Sequence, residues 1–243
     1  MKSQEELLRL SKLMSEKGIC SRREADKLIE KGLVKVNGER VSQLGLKVKR
    51  SDKVEVIREA KNLLDSKLTI ALNKPRDLVS SQPEKDYVHA LTLIKKENYF
   101  GSDYKSFDQK GLAPLGRLDI DSTGLILYSQ KGSLAKKIIG EGTFIEKEYE
   151  VNITEGSLTP DKISKLQKGL RLDNEVLKPA KVKKISPTFF KITLIQGKKR
   201  QIRRMCELVG LKVTRLKRVR IGKYKLGDLP EGCWTFVSDS EVL

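Results

Sequence analysis

Two kinds of hydrophobic rhythm divide this chain. Near the start, Leu7, Leu8, Leu10, Leu13 and Met14 recur at helical spacing and predict a helix over residues 4–17, stopped at Gly18. Ser21-Arg22-Arg23-Glu24 then has the form of a capping box, with Ser21 as N-cap. The helix it opens carries Ala25, Leu28 and Ile29 on one face and ends at Gly32. Val34 to Val41 alternates about Asn37-Gly38, the strongest short hairpin signal, and Lys53 to Ile57 adds a strand. Two short helices and a small β-ribbon in about 60 residues make a compact domain at the small end of the usual range. Residues 58–66 read as a linker.

The second rhythm is longer and strand-rich. Ile70 to Leu72 reads as a buried strand ending before Pro75. A helix is expected near Val88 to Lys96, and an exposed loop over residues 98–111. Tyr99, Phe100, Tyr104 and Phe107 in that loop fit two roles, stacking on bases or, preferably, pinning the loop to the body. Further elements are a helix at Ser133–Ile139, a strand at Glu146–Ile153 and a Thr-Pro-started helix over 158–171. Strands at Ala180–Ile185 and Phe189–Ile195 follow, then a helix anchored by Ile202, Met205, Cys206 and Val209, and a core strand at Trp234–Val237.

Between these elements lies Leu115 to Gly132, LGRLDIDSTGLILYSQKG. If Arg117 and Asp119 are extended, they share a face. That pattern fits a plain surface ion pair, worth little, or an acid held beside an anion-binding cation. On the strand at 146–153, Tyr149 shares a face with Lys147 and Val151. An aromatic beside a cation could hold a flat base and a phosphate, or be ordinary cross-strand packing.

Charge shifts the balance. The chain has 243 residues with 50 Lys plus Arg against 32 Asp plus Glu, a formal net of +18. Gly197 to Lys225 holds twelve cations and one acid, Glu207, so 12 − 1 = +11 falls in one segment. Like charges repel, so such a concentration points to a polyanion partner, and nucleic acid is the commonest one. Arg203 lies next to the anchored face of its helix and could point into a cleft. Arg22 and Arg23 open a helix, where the dipole disfavours cations; the local cost suggests phosphate contact. The three cysteines are widely separated, and with one histidine they form no metal-ligand pattern. Free thiols, no signal peptide and no transmembrane run lead us to expect a cytoplasmic protein without membrane association.

Two resemblances sharpen the expectation. GICSRREADKLIEKGLVKVNGERV resembles the S-four RNA-binding domain. The likeness implies an RNA face that includes Arg22, Arg23, Lys27, Lys31 and Lys35. GRLDxDSTGL, KEYEV and GKKRQIRRM, in that order, resemble the pseudouridine synthases of the RsuA/RluB/RluF group, and the RluF branch most. These isomerases use no cofactor or metal. They break the glycosidic bond of a uridine, turn the base and rejoin it through carbon five. The resemblance implies catalytic Asp119, with Arg203 beside it and Tyr149 stacked on the target base. It implies that Arg117 and Lys147 hold the nucleotide, while Arg200 and Arg204 of the basic segment contact RNA. The family's Gly after its Asn-Lys-Pro is Asp77 here, which puts that loop's shape in question, and the stretch before Gly116 is longer than usual.

The chain is therefore expected to be α+β. A helix-helix-ribbon RNA-binding domain (1–60) and a short linker (61–66) precede a catalytic domain (67–243) with a mixed, largely antiparallel sheet flanked by helices. It is expected to act as a monomer on a structured stem-loop of ribosomal RNA, preferably the large-subunit RNA. The rivals are a non-catalytic RNA-binding assembly factor and a synthase for small-subunit or transfer RNA.

Overall fold

The computed structural model describes residues 7–81, 86–155 and 157–243. Residues 4–6 of the first expected helix lie outside them. The chain forms two compact units, residues up to 68 with 129–137, and 69–128 with 138–243.

In the first unit, helix α1 spans Leu10–Glu16 and α2 spans Arg22–Glu30. The capping box forms as the sequence predicts. The Glu24 backbone N–H donates to Ser21 Oγ at 3.3 Å, and the Ser21 N–H donates to Glu24 Oε2 at 2.7 Å. Gly18 closes α1 at φ +74°, a conformation glycine adopts without a Cβ penalty. Strands β1 (Val34–Val36) and β2 (Glu39–Val41) make the hairpin, with Asn37 and Gly38 both at positive φ, and β3 (Val54–Val56) pairs antiparallel with β1. Leu13, Met14, Leu28, Ile29 and Val34 form the core. Burying each such side chain contributes about 2 kcal/mol. The expected linker is instead helix α3, Arg58–Asp65, with Ala60 fully buried. Its residues are strong helix formers, a propensity that outweighs their polar look.

The second unit is built on a nine-stranded sheet. Its main strands are β4 (Thr69–Lys74), β5 (Thr123–Ser129), β6 (Lys147–Glu155), β7 (Lys181–Ser186), β8 (Phe189–Leu194), β9 (Lys212–Ile221) and β10 (Trp234–Val237). Their order across the sheet is β7-β8-β6-β9-β5-β4-β10. The β7–β8, β8–β6, β6–β9 and β4–β10 pairs are antiparallel, and β9 runs parallel to β5. Helices α5 (Pro160–Gln167) and α6 (Gln201–Leu208) join strands of this unit, and α4 (Gly132–Ile139), which follows β5, falls mostly in the first unit. Every residue of β4 and β5 is buried, as expected for central strands covered on both faces.

Two departures from the sequence reading stand out. The helix expected near 88–96 resolves into two 3-10 turns, Ala90–Leu93 and Lys96–Asn98. Strand β9, the longest in the sheet, lies inside the basic segment, where the sequence pattern predicts none. Its register shifts between Lys212 and Val213, between Val213 and Arg215, and again between Arg218 and Arg220, so the two-residue alternation is broken three times. The 98–111 loop is pinned to the body, the role preferred for its aromatics from the sequence. Tyr99, Tyr104 and Phe107 pack edge-on against Trp234 with centroids at 4.9, 6.3 and 5.7 Å.

Candidate active site

A cleft of about 700 Å³ opens in the second unit. Its walls come from the loop before β5, the end of α4, the start of β6, the segment around Lys178, and the β8–α6 connection. Arg117, Asp119, Lys147, Tyr149 and Arg200 all line it.

Residues 117–119 of the loop that carries Asp119 belong to no strand, yet Arg117 and Asp119 both line the cleft. The loop's shape is set by hydrogen bonds at almost every step. The Leu115 N–H donates to the Leu127 carbonyl at 2.7 Å. Ser80 Oγ donates to the Leu118 carbonyl at 2.8 Å and accepts from the Leu118 N–H at 3.0 Å. The Asp77 N–H donates to the Ile120 carbonyl at 2.9 Å, and the Ser122 N–H to the Asp119 carbonyl at 3.1 Å. Asp77 sits at φ +64°, the left-handed region that glycine favours. Aspartate is among the few residues that tolerate it, so this replacement keeps a positive-φ bend. Gly124 is required for a different reason. A Cβ there would meet the Arg218 carbonyl oxygen at 2.3 Å, where β5 and β9 run side by side.

Arg218 is one of the cations of the basic segment, and the sequence reading gives it no separate role. It lies on β9, paired in register with Tyr149 on one side and Gly124 on the other. Only 1% of it is exposed. Its guanidinium donates to the carbonyls of Leu125 at 2.7 Å, Gly116 at 2.9 Å and Arg117 at 3.5 Å. It also stands 6.0 Å from the centroid of the Tyr149 ring. One buried cation thus ties β5, the Asp119 loop and the Tyr149 strand together. A signal exists in the sequence: Arg218 follows the apolar Leu216 at strand spacing, so it shares that buried face.

Lys147 is buried too, and burial together with the nearby Arg218 charge lowers its ammonium to about 8. Its Nζ donates to the Ile145 carbonyl at 3.4 Å. Among the described residues, no carboxylate pairs with Lys147 or Arg218. Lys74, on β4, is another buried lysine, lowered to about 8 by desolvation against the opposing pull of Asp77, Asp121 and Asp119. Its Nζ donates to the Pro75 and Leu78 carbonyls at 2.7 and 2.9 Å.

The basic helix behaves differently from expectation. Arg203 does not line the cleft, and its ion pair is to Asp121 at 3.2 Å rather than to Asp119. It donates as well to the carbonyls of Asp121 at 3.2 Å and Val213 at 3.1 Å. Helix α6 presents its buried face to the sheet, which draws Arg203 inward to the carboxylate two residues beyond the expected one. Arg200 forks onto the same carboxylate at 3.2 and 3.1 Å. Burial alone would raise the Asp121 carboxyl, but the Arg200 hydrogen bonds and the Arg203 charge hold it below the usual range. Arg200 caps α6 at φ +51° and ψ +31°, a left-handed conformation that costs a non-glycine residue energy. Arg204 is turned away from the cleft onto Asp173, at 2.9 and 2.6 Å. The twelve cations of this segment are therefore not one open surface. Arg203 and Arg218 are buried, and Arg220 pairs with Glu146 and Glu148 at 3.0 and 3.3 Å.

Among the described residues, no hydrogen bond or ion pair engages the half-buried Asp119 carboxylate. It faces the cleft with Tyr149 and Lys147. In the first unit, Arg22, Arg23 and Lys27 are exposed on α2, Lys31 is exposed at its C-cap, and Lys35 is half-buried on β1.

Comparison with known proteins agrees with this geometry. Residues 68–208 match the RNA pseudouridylate synthase family, and residues 8–54 match the S4 domain. The dual-specificity RNA pseudouridine synthase RluF of Salmonella typhi is 40% identical, over 97% of this chain and 77% of that protein. The ribosomal large subunit pseudouridine synthase B of Bacillus subtilis is 33% identical, over 92% of this chain and 89% of that one. A pseudouridylate synthase crystal structure superposes with a TM-score of 0.66 at 27% identity, covering 97% of this chain and 98% of that one. An S4 domain followed by a synthase domain, with an acidic cleft residue in a loop fixed at most of its backbone groups, places this chain in the RNA pseudouridylate synthase family.

Proposed function

We propose that this enzyme converts a uridine of large-subunit ribosomal RNA to pseudouridine, with Asp119 as the catalytic group. The observation that carries the proposal is the cleft itself. It brings Asp119, Tyr149, Lys147 and Arg117 together from separate elements. A uridine turned out of its helix costs a few kcal/mol of unstacking. Tyr149 offers a ring against which the uracil stacks, and contacts from the cationic rim to the RNA backbone offset part of that cost. The N1–C1′ bond then breaks with its electron pair left on the base, the base turns, a C5–C1′ bond forms, and C5 loses its proton while N1 takes one up, so that atoms and charge balance. A carboxylate with no hydrogen bond or ion pair among the described residues serves this sequence, either as the nucleophile that holds the cleaved intermediate or as the base that takes the proton. Arg203 acts one step removed, holding the loop through Asp121.

Large-subunit RNA is favoured because one relative at 33% identity is named for it. A reading with two RNA targets is favoured by the relatives at 40% identity that are named dual-specificity enzymes. Mapping pseudouridines in ribosomal and transfer RNA with and without the gene separates these readings. Asp119→Asn is expected to abolish product while RNA binding stays largely intact. Continued pseudouridine formation by that variant removes Asp119 from the chemistry.

A further inference from the structure

Phe144 stands at the mouth of the cleft and has no role in the reaction described above. It is 70% exposed, more than any other large hydrophobic side chain among the described residues. Its chain neighbours Gly142 and Thr143 line the cleft, and so does Lys178, whose Nζ lies 4.8 Å from the Phe144 ring centroid. The Lys178 backbone is fixed in turn, since its N–H donates to the Gln196 side chain at 3.1 Å. Ile139, 47% exposed, adds apolar surface to the same rim. A cation on one side of an exposed ring and open solvent on the other is the arrangement that single-stranded nucleic acid uses. The base stacks on the free face, and the ammonium takes the adjoining phosphate.

We propose that Phe144 and Lys178 form a stacking platform for an unpaired base next to the target uridine. The proposal rests on the enzymatic reading above and deepens it. Extruding the target leaves its neighbour without a stacking partner on one side, and Phe144 replaces that partner outside the chemical site. The platform therefore governs RNA affinity and local sequence context rather than the rate of bond rearrangement. Every base has a π-face, so the preference it creates follows stacking strength.

The test uses the full-length chain and an unmodified transcript of large-subunit ribosomal RNA. Binding is read by filter retention, and conversion by pseudouridine mapping under enzyme excess. Phe144→Ala is expected to raise the half-saturating protein concentration about tenfold, within the range found for losing one stacked base, while the plateau rate stays near wild type. Phe144→Trp is expected to restore tight binding, and Phe144→Leu, which keeps apolar bulk but no ring face, to behave like the alanine variant. Wild-type binding by Phe144→Ala, or rescue by leucine as good as by tryptophan, overturns the platform. Failure of the enzymatic reading looks different. In that case the wild-type chain forms no pseudouridine in ribosomal or transfer RNA, and the binding series still decides whether Phe144 stacks.

Discussion

The cations around the cleft are held in two opposite ways. On the α6 side, Arg200 and Arg203 share the carboxylate of Asp121, so their charge is balanced within the protein. On the sheet side, Lys147 and Arg218 are buried too but donate hydrogen bonds only to backbone carbonyls among the described residues. A buried charge without a counter-ion is expensive. The first set therefore looks built for stability, since removing either partner would strand the other. The second set carries an electrostatic cost that an anionic ligand can relieve. Asp119 sits between these arrangements, on a loop that each set grips through its main chain: Arg218 at Gly116 and Arg117, Arg203 at Asp121.

If that contrast is right, Arg218 gives the largest effect. Arg218→Met takes the donor from three carbonyls, one buried and two part-buried, and loosens the Asp119 loop. An unmade buried hydrogen bond costs about 1–3 kcal/mol, so the variant should lose roughly 3 kcal/mol or more of stability. Its conversion rate should fall well below wild type even at temperatures where it stays folded. Arg218→Lys cannot reproduce the fork and should rescue little. Denaturant unfolding and single-turnover conversion measure both parts. A stable, active methionine variant would show that the loop does not depend on this cation.

Asp121→Asn probes the balanced set. Arg203 is left buried without its counter-charge, and we expect a loss of about 2 kcal/mol, below the usual 3–5 for a fully buried pair because Asp121 is partly exposed. The sign with pH follows from the depressed carboxyl of Asp121. Its stabilising contribution is complete above the unfolded aspartate value near 3.9 and is lost as pH falls through the folded one. The wild type should therefore lose stability below about pH 4 in part through this group, and the asparagine variant should lack that component. Superimposable acid limbs for the two proteins would place the acid sensitivity elsewhere.

Much of this is legible in the sequence, and the failures share a physical cause. The capping box at Ser21, the Asn37-Gly38 hairpin and the stop at Gly18 are local signals, and local chemistry decides them. The co-location of Asp119 with Tyr149 comes through resemblance, not spacing. Strand β9 is hidden because its bulges break the alternation and its cations imitate a solvated stretch. The partner expected for Arg203 is off by two residues. Which of two acids on one loop meets a helix depends on the loop's backbone path, and that path is set by long-range hydrogen bonds from Ser80, Asp77 and Arg218. The strand spacing that ties Arg218 to the buried Leu216 is masked by the register shifts of β9, so the fold rather than the pattern separates Arg218 from Arg200 and Arg203.

Lys147 sharpens the unbalanced side at a smaller scale, and here function and stability should move in opposite directions. Its ammonium is lowered to about 8, chiefly by burial. A lysine depressed in the folded state weakens folding below that value, and the penalty disappears as pH rises from about 8 toward the unfolded value near 10.4. Lys147→Met should thus gain stability near neutral pH, a pattern common at functional sites. RNA binding by the wild type should weaken as pH passes through about 8, by up to roughly tenfold at pH 9 if the charge is needed, since one pH unit beyond the midpoint leaves about a tenth protonated. Lys147→Arg should hold its affinity over the same range. Because Lys74 titrates in the same window, the arginine variant rather than the pH profile alone assigns the effect. Equal pH dependence in the two proteins would move it to Lys74.

The smallest effects per residue are expected in the first unit, on side chains of a third kind. Arg22 and Arg23 are exposed at the start of α2, where the helix dipole opposes them and the capping box already supplies the favourable acid, Glu24. They contribute nothing visible to packing, so Arg22→Ala with Arg23→Ala should leave the unfolding midpoint unchanged or slightly raised. If they contact phosphate, the double variant should bind RNA more weakly at every sequence. The slope of log affinity against log salt should become shallower by roughly 0.7–0.9 for each phosphate that is no longer neutralised. The conversion rate at saturating RNA should stay at the wild-type level, in contrast to the Arg218 variant. An unchanged salt slope would mean that these arginines face solvent in the complex. The electrostatic part of binding would then have to come from the second unit, where the exposed cations that line the cleft, such as Arg117 and Lys199, are the next to remove.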